Sequence, residues 1–406
     1  MKTYLCFVKK MNKLSISQKS AEFVKNRFSK YYKSNKIDLP DRFGRREYAF
    51  VFFGGKGMIR HIGFDKKDQF NSFINENVPL HAYYSSAYYK TPNAPTMQEK
   101  DWMGAELIFD LDSDHLPNAD QLSYIEQLDL VKKEFNKLVF DFLIGDFGFK
   151  EKYIELYFSG GRGYHCHVKD PAVLCLDSSE RREIVDYITG RDIYDSIVFH
   201  EQITSTIQIR GRNIPSSKSL KMPKPDEPGW KGRISRGIIE IVEEIKKSDN
   251  PLEKLQEYGV KQNDATHLLA DLSDERVQRI KEGRLDQSKT IRKFFLNNAL
   301  RKTAVSMSAG ETDEPVTCDV KRLIRIPGSL HGKTGLKVER IQLDEISDYN
   351  PLQKSVVLSE EKVKFDILND FNIEMKNKYF DLKQGSKEIP TYLAVFLIGR
   401  GIGNII

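Results

Sequence analysis

One run constrains this chain more than any other: Glu106-Leu-Ile-Phe-Asp-Leu-Asp112, in which two carboxylates interrupt an apolar stretch. Read as a strand, its alternation sends Asp110 and Asp112 to one side and Phe109 and Leu111 to the other. Two neighbouring carboxylates at the end of a packed strand repel each other, and burial raises their pKa values. A divalent cation removes the conflict. Oxygen-only ligands favour magnesium or manganese, which also accept phosphate oxygens, so the run points to metal-assisted phosphoryl chemistry. The competing reading is an exposed strand end, because surface loops often produce a lone DxD. Asp114 and His115 are expected beyond the strand, as caps or supporting groups rather than ligands.

A chain of 406 residues can build a substantial core, read here as one large domain with a helical subdomain. Lys plus Arg number 64 against 58 Asp plus Glu, a net charge of +6. That balance permits nucleic acid as a partner and argues against a histone-like wrapper. Cys6, Cys166, Cys175 and Cys318 form no CxxC pair, so a structural zinc ribbon is not expected. The apolar run Tyr4–Val8 is weak for a signal peptide, and Tyr392–Ile398 is less than half of a membrane span of about 20 residues. A reducing cytoplasm and no membrane are the expectation.

Along the chain, Ser15–Lys33 has helical spacing through Ala21, Val24, Phe28 and Tyr31. Tyr48–Phe53, the Gly54-Gly-Lys-Gly57 turn and Met58–His61 read as a hairpin. Leu107–Leu111, Tyr153–Phe158 and Tyr164–Val168 read as strands, and Leu128–Ile144 as a helix. Residues 211–232, with four prolines, read as an exposed connection. Ile234–Leu300 is helical and charged, and strand patterning resumes at Val316–Val320 and Leu336–Leu343. This predicts an α+β fold, with a catalytic core from residues 1–212 and 311–406 and a linker plus inserted helical subdomain at 213–310.

Two further clusters carry chemistry. Ser159-Gly-Gly-Arg-Gly-Tyr-His165 joins two strands, and its glycines let backbone approach a ligand beside a hydroxyl, a guanidinium and an imidazole. That set suits a triphosphate, with Arg162 forking onto two oxygens and His165 as a further donor. A Gly-rich hairpin with an incidental arginine is the alternative. His167 is as readily a packed histidine. Downstream, Asp319 precedes the basic stretch that runs to Gly335. Gly328-Ser-Leu-His-Gly-Lys-Thr334 resembles a Walker A loop but has three residues between its glycines where four are needed, and no helix-forming run follows. Locally, His331 and Lys333 are a phosphate clamp or a basic turn. Taken together, three carboxylates and an Arg/His/Lys set are the components of two-metal nucleotidyl transfer.

At these residues the chain resembles the catalytic small subunit of the archaeal and eukaryotic type of DNA primase. The resemblance is an ordered series: Arg46-Glu-Tyr48, Met58-Ile-Arg-His61, Tyr83–Tyr89, Gly104–Asp112, Phe158–His165 and Asp319–Gly335, with Pro351–Ser359 and Ala394-Val-Phe-Leu397 beyond. It implies a primase-type α+β core around a small, mainly antiparallel sheet with a helical subdomain. It implies synthesis of short RNA primers on single-stranded DNA from nucleoside triphosphates, with magnesium or manganese and a large primase subunit as partner. The metal carboxylates would be Asp110, Asp112 and Asp319, and the triphosphate contacts Ser159, Arg162, His165, His331 and Lys333. Archaeal relatives usually carry a cysteine-rich zinc module between the DxD strand and the Ser-Gly-x-Arg-Gly loop. Residues 113–158 here contain no cysteine and one histidine, His115, so no structural zinc is expected.

Two rivals follow. A primase-polymerase acting mainly with deoxynucleotides would share the core, and comparing the two sugars on an unprimed template would separate them. A catalytically dead single-strand-binding scaffold could stack bases on Tyr83-Tyr84 and Tyr88-Tyr89. Retention of all three carboxylates argues against it.

Overall fold

The computed structural model describes residues 17–113, 121–285, 289–305 and 316–406. Asp114 and His115, Cys6 and the run Tyr4–Val8 lie outside them. Contacts divide the chain into two compact units, one of residues 1–136, 149–182 and 308–406, the other of 137–148 and 183–307. The expected 213–310 insert falls mostly within the second unit, which also takes in 137–148 and 183–212.

In the first unit, β1 (Tyr48–Phe52) and β2 (Met58–Ile62) pair antiparallel across the expected glycine turn. β3 (Pro79–Ser85) lies on the other side of β1, and β4 (Ala87–Tyr89) pairs with β5 (Trp102–Ala105). The sheet that matters most contains β6 (Leu107–Asp112), β7 (Ile154–Phe158) and β8 (Gly163–Val168), with β8 central. Its two faces differ as the alternation requires. Phe109, Leu111, Tyr164, Cys166, Leu156 and Phe158 are buried on one face, where Phe135 of the helix Tyr124–Asn136 stacks on Tyr164 with ring centroids 5.3 Å apart. Glu106, Asp110, Asp112, His165 and His167 occupy the other. One face is thus apolar and the other polar, and the polar face is itself largely covered, with Glu106, His165 and His167 buried.

The second unit contains β9 (His200–Ile209) and β10 (Arg212–Lys221), a long hairpin extended by β11 (Arg284–Leu285). The proline-rich stretch is therefore partly strand and not simply a connection. Pro215 closes a regular run of pairs with β9 just before the register slips, at a point where β10 has no partner on its other side, β11 pairing only with Leu220 and Lys221. Helices follow at Gly229–Lys247, Pro251–Glu257, Gln262–Asp271, Asp274–Lys281 and Lys289–Thr303, as the charged periodicity predicts. Ile234, Ile238, Ile241, Val242 and Ile245 line the buried stripe of the first of these. At Gly237 a Cβ would sit 3.2 Å from that of Ala299, so glycine allows close approach of the last helix.

Back in the first unit, β12 (Leu323–Arg325) adds to β3, and β13 (Glu339–Ile341) adds to β7. The patterning at Val316–Val320 proves to be a single 3-10 turn, Val316–Cys318, and Leu336–Leu343 contributes only the short β13. Both segments have apolar residues at strand spacing, but Thr317 and Cys318 are buried in a turn packed on β6, and Leu336 and Val338 are buried ahead of β13. The C-terminal part is β14 (Lys362–Ile367), the two-stranded β15 (Phe371–Met375) and β16 (Lys378–Leu382), β17 (Gly385–Pro390) and β18 (Gly403–Ile405). Between the last two lies the buried helix Thr391–Gly399. The helix Leu128–Ile144 is found as Tyr124–Asn136 followed by a π-helical segment, Lys137–Asp146. No described helix is long and apolar enough to cross a membrane. The architecture is α+β, with small antiparallel sheets and helical insertions.

Candidate active site

All eight residues singled out from sequence belong to the first unit. Asp110 pairs across the ladder with His165, and Asp112 with Gly163, so the two carboxylates share the polar face with the imidazole. His165 Nε2 is 3.3 Å from Asp110 Oδ1, and Arg322 Nη2 is 3.8 Å from Oδ2. Burial alone would push the Asp110 carboxyl up. The fields of His165, Arg322 and Arg325 outweigh it and pull the group down to about 2. Asp110 is thus ionised at neutral pH. His165 Nδ1 is buried and makes no hydrogen bond within the described residues.

The loop after β7 is locked from three directions. Thr334 Oγ1 donates to the Gly160 carbonyl at 2.5 Å, Tyr124 Oη to that of Gly161 at 2.5 Å, and the Ser113 amide to that of Arg162 at 3.3 Å. Ser159 Oγ accepts from the Gly161 amide at 3.2 Å. With its carbonyls tied back, the loop has a fixed backbone on which Arg162 is mounted. Gly160 has φ +77°, and a Cβ there would come within 2.7 Å of His331 Cβ. At Gly163 a Cβ would meet the Leu111 carbonyl at 2.3 Å, so only glycine lets β8 lie this close to the aspartate strand.

His331 and Lys333 sit in the loop between β12 and β13. Thr334 spends its hydroxyl proton on Gly160, so it accepts from His331, whose Nδ1 lies 3.2 Å away. The proton of a neutral His331 is therefore on Nδ1. Burial, with Arg325, His81, Lys333 and Arg162 close by, holds this imidazole well below its ordinary pKa. The loop returns as a turn closed by the Leu330–Lys337 bridge and leads into no helix, unlike a P-loop.

Asp319 begins the turn into β12. Its Oδ1 accepts from the Lys321 amide at 2.9 Å, and its carbonyl from the Arg322 amide at 3.2 Å. Arg322 therefore links it to Asp110 by one backbone and one side-chain contact. Among the described residues no three His, Cys, Asp or Glu side chains converge as a ready-made metal cage. A hard divalent ion does not require one. Magnesium is commonly held by one or two carboxylates, with water and substrate phosphates completing an octahedron. The ionised Asp110 beside Asp112 on one strand face fits that donor set.

Further residues shape this site, some with no role legible in the sequence and some with an open one. Glu106 is fully buried and paired with Arg46, while His167 Nδ1 lies 2.9 Å from its Oε2 and Tyr88 Oη 3.0 Å from its Oε1. His167 is thus a structural histidine. Tyr84, Tyr88 and Tyr89 are buried, the packing reading of the aromatic run. Arg322 and Arg325 were visible only as part of a basic stretch. Their side of the turn could be assigned only once β12 was seen to pair with β3.

The α+β fold places the ionised Asp110 and its neighbour Asp112 on one sheet face, close to a loop that carries Arg162. The chain belongs to the DNA primase small subunit family, whose match spans residues 109–342. It is 39% identical over 390 residues to the DNA primase small subunit of Methanococcoides burtonii, covering 94% of this chain and 98% of that protein. The small subunit of Methanosarcina barkeri is 40% identical over 409 residues, with 96% and 97% covered. That of Picrophilus torridus is 40% identical over 387 residues, with 94% and 97% covered. The chain is accordingly a primase-type nucleotidyltransferase.

Proposed function

We propose that this chain is the catalytic subunit that joins ribonucleotides into short primers on single-stranded DNA. The 3′-hydroxyl oxygen attacks the α-phosphorus of the incoming nucleoside triphosphate, the bond to the bridging oxygen breaks and pyrophosphate leaves. The observation that carries the reading is the shared face of Asp110, Asp112 and His165, beside the immobilised Arg162 loop.

Asp110 and Asp112, with Asp319 from the turn, would hold magnesium or manganese. The bound cation would lower the pKa of the attacking hydroxyl and neutralise charge on the leaving pyrophosphate. Arg162 forks onto phosphate oxygens, and its backbone cannot yield because the loop carbonyls are tied to Thr334, Tyr124 and Ser113. Ser159, His165, His331, Lys333 and Arg325 complete the grip. Such sites act mainly through position and charge, and a locked loop costs little reorganisation when the substrate arrives.

The test is nucleotide addition by Asp110→Ala and Asp112→Ala on a primed template. Both should lose activity entirely while remaining folded, with Asp110→Ala giving up the modest stabilisation its carboxylate gains from His165 and Arg322. Near-normal activity in a folded double variant would sink the assignment.

A further inference from the structure

His81 lies on β3, is 6% exposed, and has no part in the grip described above. Its Nδ1 is 2.7 Å from Arg325 Nη1 and 3.3 Å from the amide nitrogen of Gly332. Guanidinium and amide can only donate, so both converge on the Nδ1 lone pair and the ring proton resides on Nε2. The contact with the loop is also steric. A Cβ at Gly332 would fall 2.9 Å from His81 Nε2 and 2.5 Å from Leu80 Cγ. The ring meets that of His331 edge-on, with centroids 5.0 Å apart. One imidazole thus ties together the arginine of β12 and the amide between His331 and Lys333.

Arg325 needs such an anchor. Its Nη1 is shared between His81 and Tyr83 Oη at 3.2 Å, and its guanidinium lies 5.1 Å from the Tyr83 ring centre. A neutral acceptor directs an arginine without neutralising it, so the charge remains available to an anion. A carboxylate in the same place would hold it as firmly and cancel the charge.

We infer that His81 is a positioning residue for nucleotide binding, whose Nδ1 lone pair fixes Arg325 and the Gly332 amide in the arrangement that receives the triphosphate. The inference rests on the proposed role of Arg325, His331 and Lys333 as triphosphate contacts. His81 itself touches no reacting atom. Its loss should therefore appear in the KM for nucleotide and leave kcat and template affinity nearly unchanged.

Two amide variants of His81 give the test, because they are chemically alike and differ in reach. Asparagine can place an oxygen where Nδ1 was, whereas the glutamine amide reaches the Nε2 position. In primer extension by the full chain on a primed template, His81→Gln should raise nucleotide KM about tenfold, the loss expected for a misplaced charge-assisted contact, with kcat within about twofold. His81→Asn should stay within about twofold of the parent KM. Equal damage by the two variants, a loss confined to kcat, or an unchanged KM in His81→Gln would overturn the inference. Arg325→Ala and Lys333→Ala, measured in parallel, separate it from its premise. If they raise KM and His81→Gln does not, only the positioning role falls. If they leave KM unchanged, the triphosphate assignment itself fails and this role goes with it.

Discussion

At the scale of single residues the site depends on histidines that stay neutral. His81 and His331 are buried beside Arg325 and Lys333, and His167 is buried beside Glu106 with His165 and Lys169 nearby. For all three, burial is the leading cause and the pKa lies below the ordinary 6.5. A group whose folded pKa is depressed lends full stability above its unfolded pKa. As pH falls through 6.5 the unfolded chain takes up the proton and the folded one does not, so stability declines. By pH 5.5 each strongly depressed histidine should have cost on the order of 1 kcal/mol. Asp110 obeys the same sign in a lower window: its contribution is intact above 3.8 and lost only toward about 2. Urea unfolding at pH 7.5 and 5.5 should therefore show a clear acid loss in the parent and a smaller one in His331→Asn. Equal slopes would show that His331 takes up a proton in the folded state.

At the scale of elements, β6 is held by the two residues that lead into it. Arg181 donates to the carbonyls of Ala105 and Glu106 at 2.9 and 2.8 Å, and the Glu106 amide to Ser86 at 3.0 Å. Burial alone would raise the Glu106 pKa, but Arg46, His167 and Lys169 hold it well below the usual carboxylate range. Such a cluster contributes most when complete, because removing one member strands a buried charge. Glu106→Gln keeps the shape and leaves Arg46 without its buried counter-charge, Asp41 being half-exposed. Its unfolding free energy should drop by about 3 kcal/mol or more, measured by urea denaturation. Asp110→Ala, four residues along the same strand, should fall far less. Glu106 thus anchors the entry to β6, and Asp110 further along is the carboxylate proposed to hold metal.

At the scale of the whole molecule, the question is how a strand is begun. Extension adds one nucleotide to a duplex end, whereas initiation must hold two nucleotides and a template before any duplex exists. A partner that positions them lowers that entropic cost. The relatives are small subunits by name, and this chain has no iron–sulfur cysteine set of its own. The isolated chain is therefore expected to extend primers and to start them poorly, with the source organism's large subunit restoring initiation. An unprimed-template assay with and without that subunit checks this. Efficient solo initiation, unchanged by the partner, would show that both tasks reside in this chain.

Elements whose periodicity is local were legible in one dimension. The hairpin at Tyr48–Ile62, the alternation that turns Asp110 and Asp112 to one face, the charged helices after Gly229 and the mismatch to a P-loop were all legible. The ordered motifs also indicated the family. Strand and helix periodicities, turn glycines and motif spacing survive in one dimension because they are set by neighbours a few residues away. Features that depend on distant partners emerged only in the folded chain. Whether Val316–Cys318 was strand or turn followed from its packing on β6, and the proline-rich stretch became β10 only through pairing with β9. The same holds for His81 and Arg325, 244 residues apart, and for His167 and Glu106, 61 apart. A histidine read alone offers a ligand, a base or a packed ring with equal ease. Which of these it becomes is set by the donors and charges the fold brings to its two nitrogens.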